Sequence, residues 1–325
     1  MKNLFKKLFL CVFLLPFFSF ATVTTKLGDK IKVDGIIESK EWGGAQIFDI
    51  KYEYDPGYNT LPPFKTTAYV TYSDTKLYVA FDAKIEDIKY LRASIRERDT
   101  GFMDDWVAIA LDTYGDNRSL IIIGSNAYGS QIDFKETLGS DGDPSFNVNY
   151  ESKGVIGEDG YVVEMAIPFS ELQYEKKDTL RWKASFIRTS WKESQISVSN
   201  NKFDRGNDCF ACQIDTYIEL EGVNPKKRLE FLPYVSGNYV GSSDGNKISY
   251  DKPNFRAGLS ARYDLSSSTA LDFTINPDFS QVEADVTRIN INSPFAVNYP
   301  ERRPFFNEGN DILSSYGDAV YTRSI

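Results

Sequence analysis

No histidine occurs among the 325 residues. That removes Ser-His-Asp and Cys-His catalysis, and every His-ligated zinc or iron site. What remains for chemistry is carboxylates, aromatic rings and one cysteine pair. Cys209 and Cys212 stand in DCFACQ. In an exported chain this C-x-x-C reads first as a short-loop disulfide; a thioredoxin-like motif needs a βαβ context and a zinc site two more soft ligands, and the sequence supplies neither. Calcium is the one cofactor the composition admits, because hard oxygen ligands suffice. Its candidates are Asp104, Asp105 and Asp112 around DDWVAIALD, with Asp141 and Asp143 in GSDGDPSFN. No EF-hand spacing is complete, and acidic loops are more often simply solvated.

Glycoside hydrolysis would need two carboxylates about 5 to 10 Å apart across a sugar cleft. With 46 acids many pairs are conceivable, and none stands out by motif. Glu164 alternates with apolar neighbours in YVVEMAI, so it is expected to face solvent or an internal arginine such as Arg188. Among the rings, Trp106 shares a strand face with Ala108 and Ala110, and that strand decides whether it packs inside or out. Trp191 ends the strand FIRTSW beside a loop and is expected to be exposed, with Arg188 just before it; Trp42 is assigned to the core.

The elements that must position these groups are short strands. Lys2, Lys6 and Lys7 precede an apolar run from Leu8 to Phe18, and Ser19-Phe20-Ala21 follows. This is the pattern of a secretory signal peptide over residues 1–21, with the run too short to span a bilayer. The formal charge of −9 becomes −12 once the +3 of those lysines is removed, a poor balance for nucleic-acid binding. From Ile31 to about Gly222 the strands KTTAYVTYSD, KLYVAFDAK, DWVAIALDTY, SLIIIGSN, YVVEMAIPF, LRWKASFIRTSW and DTYIELEGV are separated by turn signals. That spacing fits an all-β antiparallel sandwich. Pro168 ends one strand, and FSEL is expected to make one helical turn after it.

After GVNPKKR the strands lengthen. LEFLPYVSGNYV, NFRAGLSARYD and TALDFTINPDF are dyad-patterned over about ten residues each, the rhythm of a tilted membrane-spanning strand. In NFRAGLSARYD, Phe255, Ala257, Leu259, Ala261 and Tyr263 fall on one face, and Arg256, Ser260, Arg262 and Asp264 on the other.

VDGIIESKEW, TYSDTKLYVAFDAK, DDWVAIALDTYGDNR and EDGYVVEMAIPFSEL together resemble the family 9 carbohydrate-binding modules of the DOMON-like superfamily. LDFTINPDFSQVEADVTRININSPFAVNYPERRPFFNEG looks like the start of the barrel in a bacterial exported family that joins such a module to an outer-membrane β-barrel. The resemblance implies a sandwich over residues 31–222 and the N-terminal part of a barrel over 226–325, followed by lipid on one face. A closed barrel needs about eight strands. The chain offers two or three, so it is expected to be truncated.

The same resemblance implies two aromatics that sandwich a sugar: by position, Phe102 matches the first and Phe210 falls near the second. The strand glutamate that the family turns toward the sugar is Ala108 here, and its partner strand LIIIG lacks the arginine. Phe102, Trp106, Trp191 and Phe210, with Arg188 for the hydroxyls, form the expected carbohydrate site. The implied role is binding of an oligo- or polysaccharide in carbohydrate catabolism, in the periplasm or outer membrane of a Gram-negative bacterium. Two other roles stay open: a hydrolase of O-glycosyl bonds or its accessory, through the enzymes that carry such modules, and a structural plug of the barrel that binds no sugar.

Overall fold

The computed structural model describes residues 24–276, apart from 138–141, 143–145, 192–193, 226, 240, 244, 246 and 251. The expected leader over 1–21, Asp141, Asp143 and the chain from Pro277 onward lie outside the described residues.

A single helical turn, α1 (Ser39–Trp42), precedes the strands. In chain order these are β1 (Gln46–Ile50), β2 (Tyr52–Asp55), β3 (Thr66–Tyr72), β4 (Lys76–Lys84), β5 (Trp106–Asp112), β6 (Ser119–Asn126), β7 (Gln131–Thr137), β8 (Glu151–Ile156) and β9 (Gly160–Pro168). There follow β10 (Thr179–Trp191), β11 (Gln195–Ser199), β12 (Tyr217–Glu221), β13 (Leu229–Asn238), β14 (Gly241–Ser243), β15 (Ile248–Tyr250), β16 (Asn254–Ser266) and β17 (Thr269–Ile275). One sheet runs β1-β3-β4-β9-β8 and a second β2-β11-β10-β5-β6-β7, with β12 on β10 as well. Pairing is antiparallel in the first sheet and in the second.

The two sheets face each other as a sandwich. Leu77, Val79, Phe81, Val163, Met165 and Ile167 of the first interleave with Val107, Ile109, Leu111, Ile123 and Phe186 of the second in one buried cluster. Phe48 stacks on Phe186 at 4.5 Å. The central strands β4 and β9 are buried on both faces, because the segment before β1 lays Ile31 and Trp42 against Tyr78, Ala80 and Ala166 on the outer side. That explains why their sequences read as nearly unbroken apolar runs rather than strict alternation. FSEL forms a short 3₁₀ turn, Phe169–Glu171, directly after Pro168.

One carboxylate holds the outer segment down. Glu164, on β9, is fully buried. Its Oε2 accepts the backbone N–H groups of Asp34 and Gly35 at 2.9 and 2.7 Å, and its Oε1 accepts the Trp42 indole N–H at 2.8 Å. The expectation that Glu164 meets solvent or Arg188 is therefore corrected. Its partners are the Val-Asp-Gly turn and the Trp of VDGIIESKEW, because its position on β9 points away from the inter-sheet core. Burial raises its pKa against the opposing pull of these three donors.

The third sheet, β13-β16-β17, is antiparallel and open at its edges among the described residues. Its register aligns Leu229, Tyr263 and Leu271, then Phe231, Ala261 and Phe273, then Pro233, Leu259 and Ile275. One face is thus apolar throughout, and it is bare: Val235 is 79% exposed, Phe255 76% and Phe273 57%. On the other face Arg262 lies between Asp264 and Asp272, at 3.4 and 3.5 Å. The sheet meets the sandwich through Arg228 on Glu171 at 2.9 Å and through the Tyr174 N–H on the Ser267 carbonyl at 3.2 Å.

Trp42→Phe keeps an aromatic group but replaces the indole by a smaller phenyl ring and deletes one donor to Glu164. It is expected to lower unfolding stability by about 1 to 3 kcal/mol, since a buried carboxylate loses a charge-assisted bond. Glu164→Gln should cost at least as much, because its amide nitrogen must face an N–H donor where an oxygen accepted one and the remaining bonds lose their charge; chemical denaturation of both variants checks the order.

Candidate functional site

Alternation along β5 sends Val107, Ile109 and Leu111 into the inter-sheet core. Trp106, Ala108 and Ala110 go to the outer face of the second sheet, where a separate cluster forms. Register extends that face sideways: Thr189, Ile187 and Ser185 of β10 lie opposite Trp106, Ala108 and Ala110, and Asn126, Gly124 and Ile122 of β6 flank the same three on the other side. The result is a buried floor of uncharged side chains, most of them small. Gly124 is required there by close approach, because a Cβ would sit 2.5 Å from the Val107 carbonyl oxygen and 2.7 Å from the Ala108 Cβ.

Rings stand around this floor. The segment between β11 and β12 brings Phe203, Phe210 and Ile214 over it, together with Tyr54 of β2. Phe203 and Phe210 are stacked at 3.9 Å, and Tyr54 meets Phe203 edge-on at 5.1 Å. Cys209 and Cys212 are joined by a disulfide, so Phe210 sits inside a covalent ring of four residues. At the other end Phe102 is 36% exposed. It makes edge contacts with Trp106 at 6.4 Å and Phe134 at 5.7 Å. Trp106, Trp191 and Phe210 are each half-buried, so none of the four expected rings is entombed.

Two buried aspartates position the ring-bearing segments. Asp105 accepts the Trp191 N–H at 2.5 Å and the Arg92 N–H at 3.2 Å, tying the end of β10 and an extended stretch to the start of β5. Burial raises its pKa. Asp104 pairs with Arg96 at 3.0 Å and takes the Asn126 amide and the Ser94 N–H. Although burial pushes upward, those donors hold the Asp104 carboxyl below its ordinary range. Asp112 accepts the N–H groups of Gly115 and Asn117 at 2.7 and 3.0 Å and so shapes the β5–β6 turn. The calcium expectation at Asp104, Asp105 and Asp112 is corrected accordingly: their oxygens face N–H donors. Among the described residues no group of three metal-ligating side chains converges.

Arg188 is a second correction. Its position on β10 is opposite Val107, an inward residue, so it points into the core and is fully buried. Its Nη1 donates to Thr66 Oγ1 and to the Lys84 carbonyl, each at 2.8 Å, and its guanidinium lies 3.9 Å over Phe64. It does not reach a sugar on the outer face. Trp191, one step out of phase with it, does lie on that face, and the guanidinium of Arg92 sits 5.2 Å over its ring. The indole N–H groups of Trp106 and Trp191 are covered and meet no acceptor among the described residues.

Sequence reasoning missed Tyr54, Phe203, Phe134 and Arg92. The first three are aromatics in or beside strands too polar to be recognised, and Arg92 lies in the aperiodic stretch LRASIRERD, where spacing carries no signal.

The family described as "Carbohydrate family 9 binding domain-like" matches residues 33–199, about half of the chain. The chain belongs to that family. A second family, "Domain of unknown function (DUF5916)", matches residues 225–325. No curated protein matches the chain. Among solved structures, a protein of Bacteroides uniformis ATCC 8492 is similar at 14% identity, over 61% of this chain and 97% of that chain, with a TM-score of 0.47. A family 9 carbohydrate-binding module from Caldicellulosiruptor kristjanssonii, in complex with cellotriose, is similar at 16% identity over 62% and 93% of the two chains, TM-score 0.44. The module from that organism in complex with glucose gives 16%, 63%, 97% and 0.43. Within this family 9 domain, one departure noted from sequence lies on the floor: Ala108 is the cross-strand partner of Gly124, which ends the LIIIG stretch.

The β7 strand that carries Phe134 outward carries Asp133 inward. Asp133 accepts from Arg98 Nε at 2.7 Å and the Val148 N–H at 2.6 Å, yet burial outweighs these and pushes its pKa up to about 6. A carboxyl whose folded pKa is raised from 3.8 to about 6 contributes stability that is present below 3.8 and lost as pH rises through 6. The stability of the wild type relative to Asp133→Asn should therefore fall between pH 4 and pH 7, by roughly 1 to 3 kcal/mol. Denaturation at closely spaced pH values reads this; a flat difference would show that the burial effect is cancelled.

Proposed function

We propose that the outer face of the second sheet binds a carbohydrate, with Phe102 and Trp106 as the stacking rings and Phe210 as the facing wall. The observation that carries this is the row of half-exposed rings standing along a closed, small-residue floor in a family 9 domain. A pyranose presents an apolar face of C–H groups, and a ring held by its neighbours offers a matching surface without further ordering cost. The floor supplies no charged group, so hydroxyl recognition falls to residues at its edge.

The apolar face of β13-β16-β17 is proposed to meet outer-membrane lipid in an exported envelope protein with a role in polysaccharide catabolism. From Phe255 to Tyr263 it runs for about 27 Å along the strand, or roughly 20 Å of vertical reach at a ~40° tilt, near the ~25 Å apolar band of such barrels. Tyr263 stands at one end of the band, and the stacked pair Tyr239 and Tyr250, 4.8 Å apart, flanks the other. Aromatic girdles at both interfaces have this arrangement.

Calorimetric titration of the full chain with cello- and xylo-oligosaccharides is expected to give saturable binding, with Phe102→Ala and Trp106→Ala each weakening it by about tenfold or more. Absence of binding across a broad glycan array would remove the proposal. For the lipid contact, Phe255→Arg and Phe273→Arg should each reduce co-flotation of the protein with liposomes. Flotation that ignores both substitutions would assign the apolar face to another partner.

A further inference from the structure

The carbohydrate proposed above is neutral or charged according to what lies at the rim, and one group there is unaccounted for. Arg92 is exposed and, among the described residues, makes no ion pair, although the described arginines beside it on the same segment do: Arg96 binds Asp104 and Arg98 binds Asp133. Its backbone is pinned on both sides, because its N–H reaches Asp105 Oδ2 at 3.2 Å and its carbonyl accepts the Asp105 N–H at 2.6 Å. Trp191 hangs from the other oxygen of the same carboxylate at 2.5 Å, and the Arg92 guanidinium covers its ring at 5.2 Å. One buried side chain thus fixes both the cation and the plate on which it lies.

Stacking on an indole leaves the edge of a guanidinium, with its parallel N–H groups, free to point outward. That edge fits a planar carboxylate in two-point fashion. Position completes the argument. Trp191 lies two residues beyond Thr189 on the outer face of β10, and Thr189 is opposite Trp106. Neighbours on such a diagonal are separated by roughly 7 to 8 Å, near the span of a C5-borne carboxylate, about 3 to 4 Å from the pyranose ring centre, plus one hydrogen bond of about 2.9 Å to a guanidinium nitrogen. A cation held in place on a chain of formal charge −9, beside stacking rings and above a floor without charge, is a selectivity element rather than general attraction.

We infer that Arg92, seated on Trp191, is the carboxylate-recognising corner of the site and that the preferred ligand is a glycan containing hexuronic acid. This rests on the carbohydrate reading above. The test is calorimetric titration of the full chain with cellotriose and with its C6-oxidised counterpart, which differ only in carrying –CH2OH or –COO− at each C5. The oxidised trimer is expected to bind about tenfold tighter or more at low salt, with the ratio falling toward one in Arg92→Gln and partly retained in Arg92→Lys. Circular dichroism confirms that the variants fold. Binding of both trimers with equal affinity, or a preference that survives Arg92→Gln, overturns the uronate inference and leaves carbohydrate binding intact. Binding of neither trimer, or of any glycan, overturns both.

Discussion

The register between β5 and β10 is the constraint on which the molecule turns. Side chains alternate along each strand, so pairing Ile187 with Ala108 and Arg188 with Val107 decides in one stroke what is core and what is site. Slipped by one residue, the pair would either turn Arg188 outward or bury Trp106 between the layers, according to which strand moved. Arg188 is held in its place by hydrogen bonds from Nη1 to Thr66 and the Lys84 carbonyl and by Phe64 over its plane, while its Nε and Nη2 meet no acceptor among the described residues. Ala108 and Ala110 tolerate theirs because Phe203 and Phe210 fold back over them.

Fixing a strand pair does not by itself fix a binding face, since the residues at its rim come from irregular chain. Here the adjacent carboxylates Asp104 and Asp105 do that, facing different segments. Asp104 gathers Ser94, Arg96 and Asn126, and Asp105 gathers Arg92 and the end of β10. Both are withdrawn from water, where a hydrogen bond to a charged acceptor is worth more and an unmade one costs more. Rigid placement of exposed rings follows from buried charge beneath them. Glu164 plays the corresponding part on the opposite layer, where its donors come from a turn and an indole rather than from a guanidinium.

How much of this was legible in the sequence depended on burial. The strands recognised from pattern, among them β4, β5, β6, β9 and β10, are those whose apolar residues fill both faces or a continuous core. Those missed, such as β1, β2, β7 and β8, form the outer edges of the two sheets. There half the side chains meet water, as in the alternating exposure of β8, and ESKGVI or YEYD carry too little apolar contrast to stand out from loops. The same limit applied to the site. Phe102 and Phe210 were placed through a likeness of motif, and Trp106 by its phase with two alanines. Arg188 was misplaced because a cation was assigned to the outside, and Arg92 was passed over because no periodicity marks a stretch held by tertiary hydrogen bonds.

Opposite Ala108 of β5, the Gly124 position on β6 leaves no room for a side chain. The two positions are therefore coupled by volume: neither can acquire a long polar group unless the ladder opens to admit it. If this face binds the carbohydrate proposed for it, changes in ligand preference are thereby steered away from the sheet and into the surrounding irregular segments, where a substitution acts without first having to rebuild the scaffold.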